Sequence, residues 1–196
     1  MHIKLASSRK QLQVARRVWP LAKDYYGKAR QAKREGTPVA WTIVMPPHEI
    51  LHTAGIVPVM TEHFSALLAT KQVVAPYLDR ADETGYPRLA CSFHRTMIGY
   101  SLADEELMIP PPDLLIVANF CDSGSKGFLP VAEHFRVPHY FLDLPLYHGG
   151  RDAEESRAAV EYLKSQFEEL LKWVEGFTQK PVEADQLRES ISLAGQ

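Results

Sequence analysis

The two cysteines of this 196-residue chain stand where a metal ligand or a nucleophile is expected. Cys121 follows the apolar run 113–120, which we predict to be a buried parallel strand. Because ligands of open α/β sheets bind in the crevice outside the carboxyl ends of the strands, Cys121 lies at a candidate site. Cys91 begins a second polar segment, 91–95, which we expect at the same sheet edge. Two thiols can hold part of a metal cluster, but they cannot complete its ligand set.

Two other chemistries remain open for these thiols. A turn with two glycines, 122–127, follows Cys121 and predicts a helix N-terminus, where a thiolate is a better ligand or nucleophile. A thiol hydrolase would need a base beside the sulfur, and His94 is close to Cys91 in the chain, but no signature of a known thiol hydrolase surrounds either cysteine. A structural disulfide is disfavoured because no secretion signal is recognisable, so we expect a cytoplasmic protein with reduced thiols.

A carboxylate directly follows the second predicted strand. Glu62 would face the same crevice as Cys121 if the sheet is parallel, and it could act as a base or contact a substrate. The alternative is a structural role, since a glutamate in the first turn of a helix interacts favourably with the helix dipole.

The segment 48–52 matches the His-Glu-x-x-His pattern of zinc hydrolases. In the extended form of that motif the third ligand position is occupied here by Pro58, which cannot bind a metal. A catalytic zinc site needs three protein ligands, so we favour a structural reading in which Ile50 and Leu51 pack on the sheet. His48 and His52 would then face outward.

Alternating strand and helix patterns predict an α/β fold, with a small parallel sheet flanked by helices, of the Rossmann or flavodoxin type. The predicted strands are 38–45, 56–60, 113–120 and 138–144. The predicted helices are 9–35 (interrupted at Pro20), 46–54, 63–82, 95–103, 124–135, 153–176 and 184–193, with Asp152 and Glu155 as a capping box and Gly176 as the end of the sixth. We expect an N-terminal helical segment (1–36), an α/β domain with both cysteines (37–150) and a helical segment (151–196) that ends as if cut off.

The overall composition excludes several functional classes. A formal net charge of -2 gives no electrostatic footprint for nucleic acid. No apolar run approaches the length of a membrane span, so we expect no membrane association.

Taken together, several segments resemble one family, the 2-hydroxyacyl-CoA dehydratase and benzoyl-CoA reductase family, in the N-terminal domain of its iron–sulfur subunits. The matching segments follow one another in the family's order and spacing, which makes the resemblance specific. They are Gly36–Thr42, Pro47–Val59, Glu62, Gly85–Tyr86, Cys91–Arg95, Pro110–Leu115 leading to Cys121, and two segments of the tail, 166–170 and 187–189.

The resemblance implies a cofactor and partners. Cys91 and Cys121 would be two ligands of a [4Fe–4S] cluster, and a third cysteine would come from a second α/β domain that this chain lacks. An ATP-dependent iron–sulfur activator would deliver the electron for radical chemistry on an acyl-CoA under anaerobic conditions, with a homologous second subunit beside this one. The chain would then be a fragment or a split subunit, in which the cluster is absent or completed by a partner.

The resemblance also assigns further site residues. Glu62 matches a family glutamate near the active site and is the predicted catalytic residue, while Val44 and Arg95 are the predicted substrate contacts. Dehydratases tend to have a small hydroxyl residue where this chain has Val44, and an apolar side chain suits an aromatic acyl group equally well. We therefore expect a 2-hydroxyacyl-CoA dehydratase, with a benzoyl-CoA-type reductase and a cluster-less scaffold domain as the alternatives.

Overall fold

Parallel strands form the centre of the molecule, as the sequence predicts. The computed structural model describes residues 14–43, 47–103, 108–145 and 153–195. Within these residues one sheet has the order β2-β1-β3-β4, with every neighbouring pair parallel. Its strands are β1 (Val39–Thr42), β2 (Val57–Met60), β3 (Leu114–Ala118) and β4 (His139–Leu142). The predicted α/β class is therefore confirmed.

Helices cover both faces of this sheet. They are α1 (Ala15–Arg34), α2 (His48–Thr53), α3 (Thr61–Thr70), α4 (Ala75–Glu83), α5 (Ser92–Ser101), α6 (Asp122–Phe135), α7 (Ala153–Thr178) and α8 (Ala184–Ala194). Successive strand residues alternate between the faces: Trp41 and Leu115 pack against α1 and α3–α6, whereas Ala40 and Leu114 pack against α2 and α7. Among the described residues, no helix is both long and apolar enough to cross a bilayer.

The helix predicted at 95–103 begins three residues earlier, at Ser92, and three other boundary errors have a local reason. Residues 63–82 are two helices, because Gln72 takes a left-handed conformation (φ 57°) that ends α3. Gly176 does not end α7, since Phe177 still packs against the core and Gln179 makes the left-handed turn instead. Pro20 does not interrupt α1: it removes one hydrogen bond near the helix start, while Tyr26 anchors the helix in the core. The capping residue Asp152 lies outside the described residues.

One side chain of α1 closes the outer edge of β2. The Tyr25 hydroxyl donates a hydrogen bond to the carbonyl oxygen of Pro58 (2.8 Å) and accepts one from the Met60 amide (3.1 Å). Pro58 has no N–H of its own to offer on that edge. The hydroxyl therefore stands in for a neighbouring strand and satisfies the backbone groups that an edge strand usually leaves to water.

The helix α2 carries the His-Glu-x-x-His pattern and packs on the sheet through Ile50 and Leu51, as expected. The ring centroids of His48 and His52 are 6.4 Å apart and nearly perpendicular. Burial lowers the pKa of both imidazoles below the ordinary 6.5, and the nearby Glu49 carboxylate opposes this shift. Across the described ranges, no three His, Cys, Asp or Glu side chains form a group suited to a metal ion, so the zinc alternative gains no support.

Removing the Tyr25 hydroxyl tests how much the closed edge contributes to stability. In Tyr25→Phe, the Pro58 carbonyl and the Met60 amide both lose their partner. We expect the free energy of unfolding to fall by about 2 kcal/mol, as for two ordinary hydrogen bonds. Urea denaturation measures the change. The control is Tyr140→Phe, which loses a single long bond of 3.3 Å, and equal losses in the two variants would contradict the proposed edge closure.

The two histidines of α2 should make folding sensitive to acid. Because their pKa values are lowered in the fold, the unfolded chain binds more protons below about pH 6.5, and stability falls as the pH drops from about 7 to 5. Replacing His48 and His52 with Gln should flatten this dependence, measured as urea midpoints across that range. His134→Gln, at an exposed position on α6, is the control. If the urea midpoint of the double variant depended on pH as steeply as that of the wild type, the acid sensitivity would not come from His48 and His52.

Candidate active site

Three helices begin close together beyond the carboxyl ends of the strands. The helix α3 starts immediately after β2, and α6 starts after β3, with α5 between them in sequence. Cys91 is the N-cap of α5 and Cys121 is the N-cap of α6. This is the sheet edge at which ligands of open α/β folds bind. The strand order reverses between β1 and β3, so this edge also contains the switch point of the sheet.

Glu62 and His94 form a buried pair that joins α3 to α5. The Nε2 atom of His94 lies 2.7 Å from Oε1 of Glu62, and the two side chains are 3% and 11% exposed. The other carboxylate oxygen, Oε2, is buried and has no hydrogen-bond partner among the described residues. A buried, unpaired carboxylate oxygen is costly, so it marks the position where a ligand donor would be stabilised.

Ser123, in the first turn of α6, extends this pair toward the cysteines. Its hydroxyl oxygen lies 3.2 Å from Nδ1 of His94 and accepts a hydrogen bond from the Cys91 amide at 3.1 Å. Its carbonyl oxygen accepts a hydrogen bond from the Tyr86 hydroxyl at 3.3 Å. One serine thus fixes the start of α6 to the start of α5, which are the two helix ends that carry the cysteines.

Both thiols lie within electrostatic range of the Tyr86 hydroxyl. Burial raises the pKa of Tyr86, the side chain of Ser123 opposes that shift, and negative charge on Cys121 and Cys91 raises it further. Because Ser123 binds the Cys91 amide and lies two residues after Cys121, the structure brings the two cysteines to the same sheet edge, as the sequence predicts. Both are free thiols, Cys91 exposed and Cys121 half-buried.

Two glycines allow this close packing. A Cβ atom on Gly124 would lie 3.0 Å from Nε2 of His94 and 3.6 Å from the side chain of Ile43, at the end of β1. A Cβ on Gly127 would lie 2.9 Å from the Tyr86 hydroxyl, closer than real Cβ contacts. The glycines after Cys121 therefore serve the packing of His94 and Tyr86 against α6.

The two predicted substrate contacts have different outcomes. Val44 lies outside the described residues, directly after Ile43. Arg95 pairs through Nη2 with Asp82 of α4 and donates from Nη1 to the carbonyl of Arg88 (3.3 Å), while its buried Nε has no partner among the described residues. Its guanidinium is thus held against α4, and the substrate-binding role stays a prediction.

The cysteine environment fits a thiolate-bound group. Neither cysteine is in a disulfide, and each caps a helix whose free N–H groups and dipole favour negative charge at that position. Both ring nitrogens of His94 are already hydrogen-bonded to Glu62 and Ser123, which leaves neither of them to activate a thiol as a hydrolase would require. The donors present are two sulfurs, so a cluster bound here needs further ligands from outside the described residues.

Sequence reasoning expected Glu62, Cys91 and Cys121 at one sheet edge but missed the residues that connect them. His94 was considered only as a base for the neighbouring thiol, and Ser123 only as part of a turn. The available signal was spacing: His94 lies one helical turn after the Cys91 cap, and Ser123 lies two residues after Cys121. Residues placed in this way on two helix starts face the same crevice when the helices meet.

Comparison with known proteins gives a consistent result. Residues 43–196 match the model of the family "2-hydroxyglutaryl-CoA dehydratase, D-component". The chain is 25% identical over 179 residues to the (R)-2-hydroxyisocaproyl-CoA dehydratase alpha subunit of Clostridioides difficile. The aligned region covers 90% of this chain and 43% of the relative.

Two further relatives are similar over most of the chain. The (R)-phenyllactyl-CoA dehydratase alpha subunit of Clostridium sporogenes is 26% identical over 172 residues, covering 85% of this chain and 41% of the relative. The lactoyl-CoA dehydratase subunit alpha of Anaerotignum propionicum is 26% identical over 178 residues, with coverages of 82% and 42%. The chain spans less than half the length of these relatives. Since the family match covers most of its residues, the chain belongs to the 2-hydroxyglutaryl-CoA dehydratase D-component family.

Proposed function

We propose that this chain is the part of a 2-hydroxyacyl-CoA dehydratase subunit that supplies two cluster ligands and a buried carboxylate. The observation that carries the proposal is the joining of Glu62, Cys91 and Cys121 at one sheet edge by His94 and Ser123. The three relatives, all named as dehydratase subunits that act on acyl-CoA substrates, support the reaction class.

Cys91 and Cys121 would hold a [4Fe–4S] cluster by their sulfur atoms. When bound, such a cluster supplies single electrons to the substrate carbonyl. The chain's own contribution is to fix the positions of the two ligands, because Ser123 ties one helix start to the other. A third ligand would come from a further domain or a partner.

Glu62 would hold the proton that dehydration releases. Loss of water from a 2-hydroxyacyl group removes the hydroxyl from C2 and a hydrogen from C3, and a base must receive that proton. The free Oε2 of Glu62 is the acceptor that the buried site offers, while Oε1 is held by His94. Its burial excludes water from the carboxylate and strengthens its interaction with a substrate.

The complete enzyme would need partners. The relatives are named alpha subunits, which supports a second, different subunit beside this one. We also propose an ATP-dependent iron–sulfur activator as the electron source and a cytoplasmic location. The benzoyl-CoA reductase alternative has no support, because the family and the relatives are dehydratases by name.

Ligand substitution tests the cluster proposal directly. The chain is reconstituted anaerobically with iron, sulfide and a small thiol, which can complete the ligand set, and then desalted. We expect retained iron and visible thiolate-to-iron absorbance in the wild-type chain, and loss of most of both in Cys91→Ser and in Cys121→Ser. The control is Ser92→Ala, next to Cys91 on the exposed start of α5. Iron retention by both cysteine variants at the wild-type level would refute the ligand assignment.

The role of Glu62 is tested in the assembled system. With its partner subunit, the activator and ATP, the wild-type protein should dehydrate a 2-hydroxyacyl-CoA. Glu62→Gln keeps the shape of the side chain but removes the base, so kcat should fall by about 10²- to 10⁴-fold. Iron retention should stay at the wild-type level, because no cysteine is altered. A variant with unchanged kcat would show that another group takes the proton.

A further inference from the structure

We propose that His94 is a positioning residue that aims Oε2 of Glu62 at the substrate and couples this carboxylate to the turn that carries Cys91. The inference rests on the proposed function for the roles of Glu62 and Cys91. The hydrogen-bond chain itself runs from Glu62 through His94 and Ser123 to the Cys91 amide, with links of 2.7, 3.2 and 3.1 Å.

His94 fixes the orientation of the Glu62 carboxylate. A glutamate side chain has three rotatable bonds, and an unheld carboxylate would sample several orientations. The short bond from His94 to Oε1 selects one of them and leaves Oε2 as the free acceptor. Since His94 is 3% exposed, water does not compete for this bond. Fixing a catalytic group in its reactive orientation is a recognised source of rate enhancement.

Ser123 determines which nitrogen of the His94 imidazole carries the proton. The Ser123 hydroxyl already accepts the Cys91 N–H, and its own hydrogen needs an acceptor. Nδ1 of His94, 3.2 Å from the hydroxyl oxygen, can accept that hydrogen. Nδ1 is then unprotonated, and Nε2 carries the hydrogen that it donates to Glu62. With this single tautomer, every donor in the hydrogen-bond chain from Glu62 to the Cys91 amide finds an acceptor.

The His94 imidazole is closely packed between α6 and its hydrogen-bond partners. A Cβ on Gly124 would lie 3.0 Å from Nε2 of His94, so the imidazole already fills the space beside α6. The ring therefore has little room to move away from Glu62. Its other end is held by Ser123, whose hydroxyl also fixes the Cys91 amide. A shift of the Glu62 carboxylate therefore moves the groups that hold the N-cap of α5.

Two substitutions separate the two ends of the imidazole. In His94→Gln, the side-chain amide can reach the position of Nε2 and still donate to Glu62, but it loses the contact with Ser123. In His94→Asn, the shorter amide can reach the position of Nδ1 and keep the Ser123 contact, but it has no donor for Glu62. A purely structural role of the buried ring predicts similar effects for both variants.

The tautomer is read from ¹⁵N NMR of histidine-labelled full chain, without iron. The resonance missing in His94→Gln assigns His94, and the exposed His134 serves as the reference. We expect Nε2 protonated and Nδ1 unprotonated, with Nδ1 shifting in Ser123→Ala and Nε2 shifting in Glu62→Gln. The opposite tautomer, or a ring that responds to neither substitution, would overturn the proposal.

Coupling to the cysteine turn is read from hydrogen exchange of the Cys91 amide in the same protein. We expect exchange to become about tenfold faster in His94→Gln, because the Ser123 hydroxyl loses its orientation, and to stay near the wild-type rate in His94→Asn. Equal rates in the wild type and His94→Gln would overturn the coupling.

Turnover in the assembled dehydratase completes the test. His94→Asn should lower kcat nearly as far as Glu62→Gln with little change in KM, while His94→Gln retains most of the activity. The double variant Glu62→Gln/His94→Asn should have the same kcat as Glu62→Gln, because both substitutions remove the same function, the oriented Glu62 base. If the double variant instead lost kcat by the product of the two single losses, the positioning role would be overturned. A wild-type assembly without turnover would instead refute the proposed function, and the NMR and exchange results would still decide the hydrogen-bond chain.

Discussion

The hydrogen bond between His94 and Glu62 holds the candidate site together. It joins α3 to α5 in a buried position, and the opposite face of the same imidazole reaches α6 through Ser123. Buried polar groups are tolerated when they are paired, so the three helix starts are constrained to the one arrangement that satisfies them. The unpaired Oε2 of Glu62 is then an exception that a ligand would remove.

This arrangement depends on the parallel sheet beneath it. Parallel strands deliver successive helix N-termini to a single edge, and β2 and β3 each lead directly into a helix there. The cysteines are the N-cap residues of α5 and α6, so they stand next to backbone N–H groups that have no partner within those helices. The sheet topology thus sets where the helices begin and where the cysteines stand, and the hydrogen bonds through His94 and Ser123 fix how those helix starts pack.

Much of this organisation was readable from local patterns. Apolar strand runs are encoded in neighbouring residues, which is why the strands were located and why Glu62 and the two cysteines were expected at the carboxyl edge of the sheet. The link from His94 to Ser123 joins residues 29 positions apart, and its existence depends on how α5 packs on α6. The break at Gln72 escaped detection because a left-handed glutamine has no sequence signal as strong as a glycine.

The closed edge of β2 limits where another strand can pair with the sheet. Tyr25 occupies the hydrogen-bonding groups of Pro58 and Met60, and the proline ring has no amide to offer an incoming strand. At the opposite edge, β4 presents the exposed residues His139 and Phe141. A strand that paired beside β2 would first have to displace the Tyr25 hydroxyl, so the described sheet resists extension on that side.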